Sequence, residues 1–412
     1  GFLRAQNDGD CFVKQGVLAA VATADAAVGV AEQIVAAHAG GEDVFHIVGR
    51  TEAFEVFGHA LHFAVGHEGA VYALRVAGAG RQEEHIALAE WAHVVLVAPA
   101  TANIIGKAAN GVADDMATTV LMATTAPVMV CPAMNTNMWN NKIVQRNVQI
   151  LKDCGYTIMQ PDSGVLACGT VGAGRLPAPE RIIEALEYVA DERKELCGQK
   201  VIVTAGGTRE ALDPVRYIGN HSSGRMGFAI ARAAAKCGAD VTLVAAPTDL
   251  VTPFKVNRVD VMTTGEMKEA VDRLYDDANI VIKAAAVADY RPAVRAQQKI
   301  KKNDDKLTLN LVKNDDILFS LGQRKGNRIL VGFAAETTDV IKYGKGKVAK
   351  KNLDMLVAND ITAEGAGFKG TTNIGAFIYP DGTVEEQPLM SKDELAERII
   401  DRVIDIYNKK NL

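Results

Sequence analysis

The sequence has no long apolar run, no paired-cysteine motif and no excess of basic charge, and each absence narrows what the chain can be. None of its apolar stretches reaches the roughly 18 to 20 residues that a membrane span requires, so no membrane partner is expected. The opening residues GFLRAQNDGD carry no signal-peptide hydrophobic core, which points to a cytoplasmic protein. Six cysteines (Cys11, Cys131, Cys154, Cys168, Cys197 and Cys237) are scattered without a CxxC pair. That pattern argues against a zinc site or a disulfide framework and for a reducing compartment, and it leaves any metal ligands unknown. Lys+Arg 45 against Asp+Glu 50 gives a net charge of -5, so no basic field marks a nucleic acid as partner. GxxxxGK[ST] is absent as well, which disfavours a P-loop kinase or ATPase.

What is present is enough chain for two or three domains: 412 residues with 48% apolar content. Strands alternate with helices, the α/β signature, so a mostly parallel sheet is expected. In the first half Val17–Ala22, Val44–Gly49, Val94–Ala98 and Ala126–Cys131 read as strands, between helical segments near Ala26–Ala37, Ile86–Trp91, Thr101–Gly111 and Asp115–Thr124. A helix from Glu180 to about Glu195 ends in a charged run before Gly198, which places the domain boundary between 192 and 198. The expected domains are 1–192 and 198–412, with strands at Val201–Thr204, Val241–Ala245, Ile280–Ala284, Leu307–Val312, Ile329–Phe333, Met355–Ala358 and Ala376–Tyr379 in the second. The helix Lys392–Asn408 closes it.

The most informative stretch is VIVTAGGTREALDPVRYIGNHSSGRMG, Val201–Gly227. A β-branched run ending in Gly206-Gly207 fits the carboxyl end of a parallel strand, where open α/β sheets bind ligands. Ser222-Ser223-Gly224 then precedes the Ala-rich run Phe228–Lys236, whose exposed N–H groups favour phosphate. A nicotinamide oxidoreductase competes for this segment. Its fingerprint fails: the glycines fall as AGGT rather than GxGxxG, and Val241–Ala245 runs into Ala246-Pro247 where a ribose-binding acid is wanted. Gly172–Gly174 makes only a GxG, and no helix opens from it.

Several long motifs carry a family resemblance. HIALAEWA (His85–Ala92), APATANIIGKAANGVADD (Ala98–Asp115), PAMNTNMW (Pro132–Trp139) and GVLACGTVGAGRL (Gly164–Leu176) resemble the flavin-dependent phosphopantothenoylcysteine decarboxylases. TAGGTREALDPVRYIGNHSSGRMGFAIA (Thr204–Ala231), AAAVADYRP, KIKK, VGFAAET and KKNLDMLVAND resemble phosphopantothenate–cysteine ligase, and their order in one chain is similar to the bifunctional family of bacterial coenzyme A biosynthesis. The match runs from about His85 to the C-terminus, whereas residues 1–80 diverge. The fold this implies is an N-terminal flavodoxin-like parallel-sheet domain plus a C-terminal Rossmann-like ligase domain.

For the first domain the resemblance implies FMN, which oxidises the cysteinyl carbon–sulfur unit to a thioaldehyde so that charge can delocalise when carbon dioxide leaves. It implies His85 as the catalytic acid/base, Asn135 as the holder of the substrate carboxylate and Cys168 as a proton donor on a flap. Thr101, Ala102, Asn103 and Met134 match the flavin-adjacent segments. Without the motifs, His85 beside Glu83 and Glu84 reads as a surface histidine, Asn135 as a turn former and Cys168 as a packing residue. The chain departs from the family at Val17–Gln33, where Ala24-Asp25 replaces a Gly-Gly turn and sets an acid toward the flavin phosphate.

For the second domain the resemblance implies CTP as co-substrate, with Mg²⁺, converting 4′-phosphopantothenate to an acyl-cytidylate that the amine of cysteine then displaces. Lys299, Lys347 and Lys351 match nucleotide lysines, Asp289 and Phe333 the cytidine pocket, Asn220 the contact to the acyl-cytidylate, and Ser222, Ser223 and Gly224 phosphate contacts. Asp315, Asp316 and Ile317 fall in the loop beneath the nucleotide, with Asp315 where the family often has Pro. Arg225 replaces a common Lys and keeps the charge. Read alone, KIKKNDDK is a solvated turn. The expected product, phosphopantothenoylcysteine, would pass to the decarboxylase of a homo-oligomer with trimeric decarboxylase and dimeric ligase contacts. The competing expectations are a monofunctional ligase with a flavin-free N-terminal scaffold, and a non-catalytic regulatory subunit.

Overall fold

The computed structural model describes residues 43–49, 61–65, 84–166, 169, 171–301, 307–336, 340–360 and 372–411. The expected strand Val17–Ala22, the helix Ala26–Ala37, the Ala24-Asp25 turn and Cys168 lie outside the described residues. The chain divides into two compact units, Gly1–Asp191 and Glu192–Leu412.

In the first unit β1 (Asp43–Gly49), β2 (Leu61–Val65), β3 (Ala92–Ala100), β4 (Val128–Pro132) and β5 (Thr157–Ile158) form a sheet in the order β2-β1-β3-β4-β5. β3, β4 and β5 run parallel, whereas β1 pairs antiparallel with both β2 and β3. Apolar patterning shows which segments extend but not their direction, so this mixed edge is a finding of the structure. Val94–Ala100 and Val128–Pro132 are buried throughout, as strands covered on both faces must be. The covering helices include α1 (Glu84–Trp91), α2 (Ala102–Ala109) and α3 (Met116–Ala123), whose Leu88, Ile104, Ile105 and Val120 pack on Val95, Val97 and Val130. Asp115 starts α3 with a capping box, its carboxylate accepting from Thr118 N at 2.8 Å. The short α4 (Thr136–Trp139), α5 (Lys142–Asp153) and α6 (Pro179–Ala190) complete the described helices of the unit. α6 stops short of the expected Glu195 because the charged residues after Ala190 offer no apolar face to bury. The Gly172–Gly174 motif lies in a hairpin of β6 (Asp162–Val165) and β7 (Val171–Arg175).

The second unit contains β8 (Lys200–Ala205), the hairpin of β9 (Arg209–Ala211) and β10 (Tyr217–Gly219), β11 (Asp240–Ala245), β12 (Val256–Asp260) and β13 (Ile280–Lys283). The hairpin of β14 (Tyr290–Pro292) and β15 (Leu311–Lys313) follows, then β16 (Ile329–Glu336), β17 (Met355–Asp360), β18 (Thr372–Ile378) and β19 (Val384–Ser391). The expected strand Leu307–Val312 shrinks to Leu311–Lys313, paired only with Tyr290–Pro292. Eight described strands make the main sheet, ordered β12-β11-β8-β13-β16-β17-β18-β19. The first six are parallel and the last two antiparallel. In chain order those six read 3-2-1-4-5-6, the doubly wound arrangement, with its switch point between β8 and β13.

Helices α7 (Arg225–Lys236) and α11 (Lys392–Asn411) pack on each other, and α7 also packs on β8. Residues of α8 (Thr264–Tyr275), α9 (Ile317–Gln323) and α10 (Val340–Lys350) close a core around Ile202, Val244, Val281, Leu330 and Leu356. Tyr275 is its largest member, fully buried with its hydroxyl donating to Leu321 O at 3.0 Å.

Candidate active site

Where the strand order reverses, the loops after β8 and β13 part and leave a crevice at their carboxyl ends. Gly206 has φ +82, and a Cβ there would stand 2.8 Å from Ala246 O. A Cβ on Gly207 would stand 2.6 Å from Asn220 O, so backbone passes backbone with no room for a side chain. An open cleft of about 520 Å³ results, lined by Gly207, Thr208, Asn220, Ser222, Ser223 and Pro247 among others. Arg209 lies over the Tyr217 ring at 4.9 Å on the same wall. Gly224 is the N-cap residue of α7, so Ser222–Gly224 occupies the turn in which that helix starts.

A buried polar network holds the two loops in register. Thr208 Oγ1 accepts from Ala288 N at 2.9 Å and lies 3.1 Å from Thr264 Oγ1, while Thr264 N donates to the buried Glu210 at 2.8 Å. The Asn220 amide donates to Val287 O at 2.8 Å, joining the loop after β10 to the loop after β13. These partners are found from backbone positions far apart in sequence, so only Asn220 was legible beforehand.

Beyond the switch point a second group of predicted residues gathers. Asp289 is exposed, and its carbonyl accepts from Asn314 N at 2.8 Å, which sets the loop 314–316 beside it. Asp316 caps α9 by accepting from Phe319 N and pairs with Lys351 at 2.9 Å; Ile317 is buried behind it and Asp315 is exposed. Burial works to raise the Asp316 pKa, but Lys351 and the Phe319 N–H outweigh it and hold the carboxyl ionised. Phe333 is half-buried on β16, and Lys347 lies one turn before Lys351. The sequence reading missed Lys283, the last residue of β13. Burial, reinforced by Lys351, lowers its pKa to about 8 against the opposing pull of Asp316 and Asp289. Its signal was a lone lysine closing the apolar run Ile280–Ile282.

Lys299 is exposed, and its neighbour Ile300 is tied to the turn between β9 and β10. The fully buried Asp213 carboxylate accepts from Ile300 N at 3.1 Å, and Arg216 donates to Ile300 O at 2.9 Å.

In the first unit the residues cluster at the carboxyl ends of β3 and β4. Thr101 is the N-cap residue of α2, with Ala102 and Asn103 as its first two members. Ala133 N donates to Ala100 O at 3.0 Å, which brings Met134 and Asn135 beside them. Asn135 caps α4 through Asn137 N at 2.8 Å. Met134 N donates to Gly174 O at 2.9 Å, so the β6–β7 hairpin rests on this loop. The Thr136 hydroxyl is buried there with no hydrogen-bond partner, against Gly172. His85 is the second residue of α1 and half-buried.

Among the described residues no cluster of three or more metal-ligating side chains occurs, and no helix is long and apolar enough to cross a membrane. The family model described as "Flavoprotein" matches residues 15–190, and "DNA/pantothenate metabolism flavoprotein C-terminal domain" matches 196–407. Coenzyme A biosynthesis bifunctional protein CoaBC of Bacillus subtilis is 48% identical over 322 residues, 77% of this chain and 79% of the relative. The proteins of that name from Vibrio cholerae and Escherichia coli K12 are 49% and 45% identical, over 77% and 79% of this chain and 79% and 81% of theirs.

Proposed function

From the premise that this chain belongs to the family of coenzyme A biosynthesis bifunctional proteins, we propose how its two units divide the chemistry. It is a bifunctional enzyme of coenzyme A biosynthesis with ligase and decarboxylase activity, so the scaffold and regulatory-subunit readings are set aside. The domains we assign are 1–192 for decarboxylation and 198–412 for ligation, in a cytoplasmic protein.

In the ligase unit the carboxylate of 4′-phosphopantothenate attacks the α-phosphorus of CTP, the bond to pyrophosphate breaks, and an acyl-cytidylate forms. The amine of cysteine then attacks the acyl carbon, CMP leaves with the bonding electrons, and the amine proton passes to solvent. The observation that carries this reading is the switch-point cleft with Asn220 across it and the Asp316–Lys351 pair beyond it. Ser222, Ser223 and Gly224 offer backbone N–H groups to phosphate at the start of α7, and Lys299, Lys347 and Lys351 supply cations to a triphosphate. Asp289 accepts from the exocyclic amine that distinguishes cytosine from uracil, with Phe333 against the ring. Mg²⁺ would share with these lysines the task of neutralising charge on the triphosphate.

In the decarboxylase unit Thr101, Ala102, Asn103 and Met134 fit an FMN edge: polar groups at the start of α2 beside an apolar side chain at the end of β4. A bound flavin supplies a reversible two-electron acceptor there. Asn135 holds the carboxylate of phosphopantothenoylcysteine, His85 moves a proton, and Cys168 is the proton donor. Trimeric contacts around this unit and dimeric contacts around the ligase complete the assembly. The exposed Tyr290, Val294, Leu307, Leu309 and Leu311 on and beside the β14–β15 hairpin give the dimer an apolar surface.

The test is the visible spectrum of the purified protein with the released chromophore identified, run beside amide formation from CTP, cysteine and 4′-phosphopantothenate. Bound FMN with CTP-dependent amide formation is expected. A colourless protein that still makes the amide would remove the flavin from the first unit, and amide formation indifferent to CTP would remove the nucleotide from the second.

A further inference from the structure

Between Ala293 and Lys301 the chain is exposed at every residue except Ala296 and Ile300. Both exceptions are tied by their backbones to one turn, Leu212–Arg216: Ala296 N donates to Leu212 O at 2.9 Å, and Ile300 is held at both its N–H and its C=O. The holder of Ile300 is an ion pair. Asp213 accepts from Arg216 Nε at 3.0 Å and from its terminal nitrogen at 2.6 Å, a two-point fork. The same carboxylate accepts from Val215 N and Arg216 N at 2.8 Å each. A carboxylate so surrounded is pinned in orientation, and Arg216 first, then the backbone donors, keep its pKa well below the usual carboxylate range. Ile300 lies between Lys299 and Lys301, and the turn that grips it leads directly into Tyr217 and Gly219 on the cleft wall.

We propose that Asp213 and Arg216 are positioning residues for Lys299, fixing the backbone of Ile300 so that the lysine is presented at the cleft rim instead of ranging with an exposed loop. This rests on the reading of Lys299 as a nucleotide ligand. An exposed lysine on a free loop loses much conformational entropy when it engages a phosphate, and a clamp one residue away removes part of that cost before CTP arrives.

The experiment combines two readouts on the full chain carrying Asp213→Asn, with Arg216→Lys as a milder variant that keeps the charge but loses the planar fork. Limited trypsin digestion followed by mass spectrometry reports cleavage after Lys299 and Lys301, and steady-state assays report half-saturating CTP and cysteine. Cleavage is expected to quicken at those two bonds. Half-saturating CTP should rise roughly tenfold with cysteine unaffected, and Asp213→Asn should add nothing further in a Lys299→Gln background. Unchanged cleavage in both variants, or effects on CTP that multiply with those of Lys299→Gln, would overturn the proposal. Faster cleavage with Lys299→Gln itself silent toward CTP would instead remove Lys299 from the nucleotide site, and the positioning role with it, while leaving the clamp in place.

Discussion

The side-chain amide of Asn220 donates to Val287 O at 2.8 Å, and that bond spans the switch point of the second sheet. It joins the loop before α7 to the loop after β13, between which the proposed acyl-cytidylate forms. Asn220 is nonetheless exposed, so few packing contacts depend on it. Asn220→Asp would set a carboxylate against the carbonyls of Val287 and Ala286, with which the amide now bonds. Amide formation is expected to fall by tenfold or more, while the thermal midpoint moves by roughly 2 °C or less, as for surface substitutions. A large midpoint change in a thermal melt would show that the bond is structural first.

Gly227 begins the second half-turn of α7 against β8. A Cβ there would lie 2.5 Å from the Ala205 side chain and 2.9 Å from Thr204 O. Gly227→Val therefore pushes the helix away from the strand, at a cost of about 1–3 kcal/mol. A lowered urea midpoint at unchanged slope, together with weaker CTP binding, is the expected result.

Lys283 has a folded pKa of about 8, well below the 10.5 of a free lysine side chain. Between those values the unfolded chain binds more protons than the folded one, so stability rises with pH across that window. Below it, Lys283 is a charged group that burial penalises. Lys283→Met should therefore raise the thermal midpoint at pH 7, and the advantage should shrink as pH climbs toward 10.5.

Gly174 has φ +142, and a Cβ on it would stand 2.1 Å from Met134 O. Gly174→Ala must displace the β6–β7 hairpin from the Met134–Asn135 loop, because the obstructing atom is backbone. Carbon dioxide release should fall roughly tenfold or more while CTP-dependent amide formation is unchanged. Equal loss of both activities, measured on separately supplied substrates, would contradict the division of labour.

The glycine pair at 206–207, the Asn-His-Ser-Ser-Gly turn and the apolar strands of the second unit are legible because each is local. A close backbone approach demands Gly where it occurs, and a strand covered on both faces must be apolar along its length. The hairpins β6–β7 and β9–β10 were not legible, since short strands of mixed polarity such as Asp162–Val165 carry no clear alternation. The antiparallel edge formed by β1 was hidden for a different reason: the same apolar run serves either direction.

The α/β class, the nucleotide-type turn and the family are readable from residue order alone, because motifs are contiguous and their chemistry goes with residue type. Tertiary structure decided which of these residues meet. It set Asn220 against Val287, Lys351 against Asp316 and Lys283 within their field, and it anchored Ile300 to Asp213 across a separation of 87 residues. Hydrogen bonds and desolvation depend on distance in space, which the doubly wound strand order fixes and residue spacing along the chain does not.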